Sequence, residues 1–275
     1  MRRLALIFVT VLLAGAWTAA GPHDEKPGKS RALIVVGLPG DAEHEKLFAD
    51  TARQCHDWLT ESLDFEVTVL FGKSGRPQLA RVAATRDAIE REVADLKKNL
   101  RAEERLWVLF LGHGDYDGER ASFHLPGRDL HADDLGKLFA GIQCKEQVFW
   151  MTNSASGWFL KPLSAKGRIV ITATAADEEY NETEFPQAFA TVVKKLNPKA
   201  DDKVSVLELY RRTVAEVEAR FAADKRVPTE HAQLDDNGDG VGTEEPVVEP
   251  IGDKKPTADG QLAARTILPF RPAKK

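Results

Sequence analysis

Along the chain, short apolar runs alternate with longer stretches in which apolar residues recur every three or four positions. Ala32–Leu38, Leu106–Leu111, Gln147–Thr152 and Arg168–Ala173 are almost continuously apolar in their interiors, the pattern of strands covered on both faces. Phe65–Phe71 alternates instead, with Phe65, Val67, Val69 and Phe71 on one side. Glu43–Leu63 carries Leu47, Ala52, Cys55, Leu59 and Leu63 at helical spacing. Thr85 is placed to cap a helix that reaches Leu100, with Ile89, Val93 and Leu96 on one face. Ala132–Gly141 has Leu135, Leu138 and Phe139 facing inward, Pro186 opens a helix to Leu196, and Val204–Ala223 is amphipathic with Asp202 or Ser205 as its cap. The polar, glycine-rich stretch Tyr116–Leu130 holds a small hairpin arm at Ser122–Leu125. Strands alternating with helices predict a three-layer α/β/α sandwich on a mostly parallel sheet. Right-handed crossovers then put the strand C-termini on one edge.

The ends of the chain differ from this pattern. Met1-Arg2-Arg3 followed by the apolar Leu4–Trp17 and small Thr18-Ala19-Ala20 is a secretory signal peptide in form. The expected organisation is a signal peptide over residues 1–20, a linker over 21–30, a domain over 31–226 and an acidic, Pro/Gly-rich extension over 227–275 that is extended or disordered. The mature protein is expected to be exported, periplasmic or extracellular, with no membrane span after cleavage. Hydrophobic residues make up 43% of the 275 positions, enough for a sizeable core, and the net charge of -5 comes from intermixed signs. No basic face marks a nucleic-acid partner. The two cysteines, Cys55 and Cys144, are a candidate pair for an exported protein, but sequence alone does not bring them together. Nothing in the sequence sets the oligomeric state.

Two of the strands end in chemistry. Leu106–Leu111 runs into Gly112-His113-Gly114-Asp115, and Gln147–Thr152 into Asn153-Ser154-Ala155-Ser156-Gly157. Parallel neighbours would deliver a histidine and a serine side by side at the ligand-binding edge of the sheet. Here the chain resembles the caspase-like fold of cysteine peptidases, the group with caspases, legumains and gingipains. In that group a His-Gly follows one central strand and an Ala-Cys the next, with a residue and then Ser-Gly after the cysteine in legumain-like members. His113-Gly114 matches the first motif, and Ser154 stands where the cysteine belongs in the second. The strand through Ile169–Ala175 matches the one that helps shape the pocket for the residue before the cut. The resemblance spans Ala32 to Ala223, and is strongest to an exported bacterial branch with Ser-Ala-Ser-Gly followed by Asn-Glu-Thr-x-Phe, here Asn181–Phe185.

The resemblance implies a peptide or protein substrate or ligand and no cofactor. It makes His113 and Ser154 the catalytic candidates, with the N–H groups of Gly114 and Ser154 as an oxyanion hole. Asp115 is the nearest candidate to orient His113, and Ser156 reads as a structural residue of the turn. Asp177, Glu182 and Glu184 are candidates for a pocket favouring a basic side chain. Serine in place of cysteine matters, because a thiol near pH 8.5 becomes a thiolate beside an imidazole, whereas a hydroxyl needs a base positioned to take its proton. Two functions stay open: a weakly active or inactive homologue that binds peptide or protein, and a serine-nucleophile endopeptidase using a His113/Ser154 dyad.

Asp235, Asn237, Asp239 and Gly240 reproduce positions one, three, five and six of an EF-hand loop. Calcium is therefore a candidate ligand at Asp235–Gly240, although Pro246 occupies the place of the bidentate carboxylate. The resemblance would put His231 or Asp235 near the pocket. A fainter echo, Asn197, Asp201, Ser205 and Glu208, has Lys199 and Asp202 where a ligand and a glycine belong, and reads as metal-free.

Overall fold

The uninterrupted apolar runs do become buried strands. In a computed structural model of the chain, which describes residues 30–72, 79, 82–196, 203–250, 252–253 and 255–271, the order is β1 (Arg31–Val36), α1 (Ala42–Asp57, continued by a π-helical turn at Trp58–Ser62), β2 (Glu66–Phe71), β3 (Val82–Ala83), α2 (Arg86–Asn99) and β4 (Arg105–Leu111). There follow β5 (Gly114–Tyr116), β6 (Ala121–Phe123), β7 (Leu130–His131), α3 (Ala132–Phe139), β8 (Glu146–Met151), α4 (Gly157–Leu163), β9 (Arg168–Thr172), α5 (Phe185–Lys195), α6 (Val206–Ala223), β10 (Gln233–Asp235) and α7 (Gln261–Arg265). The expected signal peptide and most of the linker lie outside the described residues, as does most of the loop beginning at Asn197. Among the described residues no helix is long and apolar enough to cross a membrane.

The main sheet runs β10-β9-β8-β4-β1-β2-β3. Its pairs are parallel except the edge pair β9–β10. Side chains alternate between two cores. Ile34, Val36, Trp107, Leu109, Trp150 and Ile171 pack toward α1, α5 and α6, while Leu33, Val35, Val108, Phe110, Phe149 and Val170 pack toward α2, α3 and α4. This is the expected α/β/α sandwich. The small hairpin arm is real and larger than expected: β5, β6 and β7 form a separate three-stranded antiparallel sheet. Ser205, not Asp202, caps α6, its Oγ accepting from the Glu208 N–H at 3.1 Å.

One expectation needs correction, and one open question is answered. The stretch from residue 227 is not a disordered extension. Gln233–Asp235 adds the antiparallel edge strand to β9. The acidic run then anchors the rest, with the buried Asp236 accepting from the N–H groups of Gly260 (2.9 Å) and Ala263 (2.7 Å) at the start of α7. The acidity serves backbone donors that would otherwise be buried without partners. The cysteines are both free. Cys55 belongs to the core on one face of the sheet and Cys144 packs against the core on the other, so the sheet separates them.

Arg168 ties the β8–β9 half together. Only 5% exposed, its guanidinium donates to the carbonyls of Leu163 (2.6 Å) and Phe139 (3.0 Å), the last residues of α4 and α3, and to Gln147 Oε1 at 2.9 Å. One cation thus closes two helix C-termini, where carbonyls lack intrahelical partners. Arg168→Met is expected to destabilise the fold by about 2–4 kcal/mol in urea unfolding, because buried acceptors lose their donors. A loss within the scatter of ordinary surface substitutions would contradict this role.

Candidate functional site

β4 and β8 are adjacent, parallel and paired through Phe110↔Met151. His113 and Ser154 each lie three residues beyond that pair, so the two loops leave the sheet together. They touch. A Cβ at Gly114 would sit 2.6 Å from Asn153 Nδ2 and 2.8 Å from the Ser154 carbonyl oxygen. Only glycine lets the serine loop pass this closely. The His124 N–H donates to the His113 carbonyl and the Asp117 N–H to that of Arg120. Antiparallel alternation therefore leaves Gly114, opposite Phe123, at a non-hydrogen-bonded position with its N–H free of the hairpin.

His113 is held by the other side of the topological switch. β1 leads to β2 and β3 on one side, whereas the chain returns through β4 on the other. A crevice at such a reversal is the expected ligand site of an open α/β sheet. From the loop after β1, the carbonyl of Pro39 lies 3.3 Å from His113 Nε2. A carbonyl only accepts, so the proton sits on Nε2 and Nδ1 presents its lone pair. The ring packs against Phe48 (5.2 Å between centroids) and edge-on to His44 (5.0 Å).

His44 is a residue that the sequence reading missed. Its Nδ1 pairs with Asp41 at 2.8 Å and its Nε2 with Glu182 at 3.1 Å. Hydrogen bonds to Glu182 first, and then to Asp41, raise its pKa. The signal was available in Pro39-Gly40-Asp41 at the end of β1, which reads as a plain turn. Asp115, the expected orienter, is directed elsewhere: its carboxylate meets His124 Nε2 at 3.3 Å. Asp115 belongs to β5, which peels away into the hairpin beside β6, so nearness in sequence to the His-Gly motif does not bring its carboxylate to the ring.

The serine loop is strapped down from the β9 side. Ser156, fully buried, accepts through Oγ from the N–H groups of Ala173 (2.9 Å) and Thr174 (3.1 Å), as its structural reading anticipated. A Cβ at Gly157 would stand 2.1 Å from the Ala175 carbonyl carbon. Ala155 adopts a left-handed φ of 54°, and its N–H donates to the Glu179 carbonyl at 3.1 Å. Ser154, at the crest, is 5% exposed. Its carbonyl accepts from Asn153 Nδ2 at 2.8 Å, while its hydroxyl has no hydrogen-bond partner among the described residues, His113 included.

The three expected pocket acids do not converge. Glu182 serves His44, Glu184 is paired with Arg226 and Arg220, and Asp177 is exposed on the loop after β9. A cavity of about 450 Å³ lies beside the serine loop instead and is lined by Tyr116, His131, Trp158, Ala175 and Val241. Tyr116 stacks on Trp158 at 3.9 Å. His231 does lie close to the serine loop: its N–H donates to Glu179 Oε2 at 2.9 Å and its ring pairs with Glu179 Oε1, which raises its pKa. Next to it, burial pushes the Glu230 carboxyl up to about 8.

The EF-hand-like loop closes on its own backbone. Asp235 accepts from the N–H groups of Gly238 (2.9 Å) and Gly240 (3.0 Å), Asn237 Oδ1 from that of Asp239 (2.7 Å), and Asp239 Oδ1 from that of Val241 (2.8 Å). Among the described residues no group of three acidic, histidine or cysteine side chains could hold a metal ion. The carboxylates of this loop are thus engaged by its own backbone, and no chemistry is assigned to it.

No protein-family model matches the chain, and no curated protein matches it. Solved structures do. The Drosophila initiator caspase Dronc superposes with a TM-score of 0.53 at 13% identity, covering 76% of this chain and 80% of its own. Caspase-1 from Spodoptera frugiperda gives 0.50 at 13% identity, covering 77% and 87%. The sandwich with His113 and Ser154 at adjacent strand ends is thus a caspase-like fold.

Two consequences can be measured. Gly157→Ala drives a methyl into backbone and is expected to cost about 3 kcal/mol or more in denaturant unfolding, whereas an unchanged midpoint would mean that the Ala175 segment yields freely. The Glu230 carboxyl, neutral when folded up to about 8 against an ordinary value of 4.5, contributes stability that is complete below about 4.5 and is lost as pH rises toward 8. The stability of Glu230→Gln relative to the parent should therefore grow across that window, by on the order of a few kcal/mol, and level off above it. A pH-independent difference would rule out the shift.

Proposed function

We propose that this chain is a caspase-fold protein whose cleft binds an extended peptide or protein and turns it over weakly or not at all. It acts after export, and Ser154 replaces the attacking thiol. The reading rests on one observation: the Ser154 hydroxyl makes no hydrogen bond to the imidazole beside it. A thiol needs only a neighbouring imidazole to ionise, whereas a hydroxyl must hand its proton to a base already in contact. The Pro39 carbonyl supports the same reading. It sets the tautomer of His113 but carries no charge to stabilise an imidazolium, as a buried carboxylate does in a serine triad. The cavity walled by Tyr116 and Trp158 offers a place for a side chain of the bound segment.

A second reading, a serine endopeptidase, is favoured by the unengaged Nδ1 of His113 and by the free N–H of Gly114. In that case Ser154 attacks the carbonyl, His113 serves as base and then acid, and the N–H groups of Gly114 and Ser154 receive the oxyanion.

Fluorogenic peptide libraries separate the two. Ser154→Cys is expected to raise peptidase activity by roughly 10²-fold or more over the parent, and His113→Ala to abolish that gain. The parent should remain unlabelled by a fluorophosphonate. Labelling of Ser154 that requires His113 would establish the serine enzyme instead. If Ser154→Cys stays inert and the folded parent binds no peptide, both readings fail.

A further inference from the structure

A second cavity, of about 180 Å³, opens where β9, α5, α6 and the segment after α6 meet. Its apolar walls include Phe185 and Val217, and its polar lining comprises Glu230, His231, Glu218 and Glu244. Glu230 is only 6% exposed. Its Oε2 accepts from the Glu184 N–H at 3.0 Å, and its Oε1 is buried with no hydrogen-bond partner. An orphaned buried carboxyl oxygen is costly and uncommon. Glu218 and Glu244 are exposed, so a buried carboxyl lies beneath two carboxylates at the mouth. Among the described residues no lysine or arginine lines the cavity. Arg226 and Arg220 are paired with Glu184, and the His231 ring with Glu179.

We propose that this cavity is a binding site for an organic cation on a short alkyl stem, the chemistry of an arginine side chain, whose charged head satisfies Glu230 Oε1 while its stem lies on Phe185 and Val217. The size supports this, since 180 Å³ is below the range of pockets for drug-sized ligands but takes one side chain. The sign supports it too, because every unpaired ionisable group in the lining is acidic, and a buried carboxylate is best matched by a bidentate guanidinium. The carboxyl would give up its proton on binding, so affinity should rise with pH; the titratable groups that face it are Glu184, Glu179, Glu218, Glu244 and His231.

The test is calorimetric titration of the folded parent at pH 7 and pH 8.5. The probes are a capped Ala-Arg-Ala peptide, the same peptide with neutral citrulline in place of arginine, and agmatine. Saturable binding of the arginine peptide or of agmatine is expected, tighter at pH 8.5. The citrulline peptide should bind at least tenfold more weakly. Preference for the peptide over agmatine would identify a protein side chain as the source, and the reverse a free amine. Glu230→Gln keeps an acceptor for the Glu184 N–H and mimics the neutral carboxyl, so it should fold, and it should lose at least tenfold in affinity for either cation. No saturation by about 10 mM, equal binding of the citrulline peptide, or unchanged binding by Glu230→Gln would each overturn the proposal.

Discussion

The site depends on one steric constraint: two loops leave adjacent parallel strands and cross so closely that each must be glycine where it meets its neighbour. Gly114 lets the Asn153–Ser154 backbone pass, and Gly157 lets the Ala175 segment close over the start of α4. The Ser156 hydroxyl then spends itself on two N–H groups at the end of β9, so the loop carrying Ser154 is tied to both flanking strands. These contacts account for the spacing of His-Gly and Ser-x-Ser-Gly without any appeal to turnover. They also explain why Ser154 and Ser156, two alike residues in one turn, have different roles. One is an internal acceptor, and the other stands at the crest with an uncommitted hydroxyl.

Within that frame the histidine is oriented by a backbone carbonyl rather than by a carboxylate. A dipole fixes which nitrogen bears the proton, but it stabilises a developing positive charge less than an ion would. Such an arrangement suits a nucleophile that ionises on its own account, as a thiol does. On the proposed reading, Ser154 takes that place, so the geometry that positions the groups would be retained and the driving force for proton transfer reduced. The ring beside His113 is that of His44, itself held by Asp41 and Glu182, which raise its pKa. The cleft thus carries ionic structure on the β1 side, which no short motif announces.

Much of this was legible in the chain. Strands buried on both faces leave continuous apolar runs, so β1, β4, β8 and β9 and their parallel order could be read directly, and with them the joint emergence of His113 and Ser154. What stayed hidden is short, polar or remote in sequence. β10 is only Gln233–Asp235 in an acidic stretch, and its partner β9 lies some sixty residues earlier, beyond any local pattern. The same stretch has the spacing of a calcium loop, and aspartates that cap backbone N–H groups and aspartates that bind metal recur at similar spacings. Asp115 stands two residues from His113, but nearness in sequence is not contact, and its carboxylate meets His124 in the hairpin arm. The Pro39 carbonyl had no signature at all, since any residue supplies one.

The central claim, that His113 is fixed by Pro39 as the Nε2–H tautomer and does not bond to Ser154, is tested most directly by ¹⁵N NMR of the imidazole nitrogens. The account predicts a protonated Nε2 and a bare Nδ1 in the neutral ring, with shifts unchanged in Ser154→Ala. A proton on Nδ1, or a shift of either nitrogen when the Ser154 hydroxyl is removed, would contradict it.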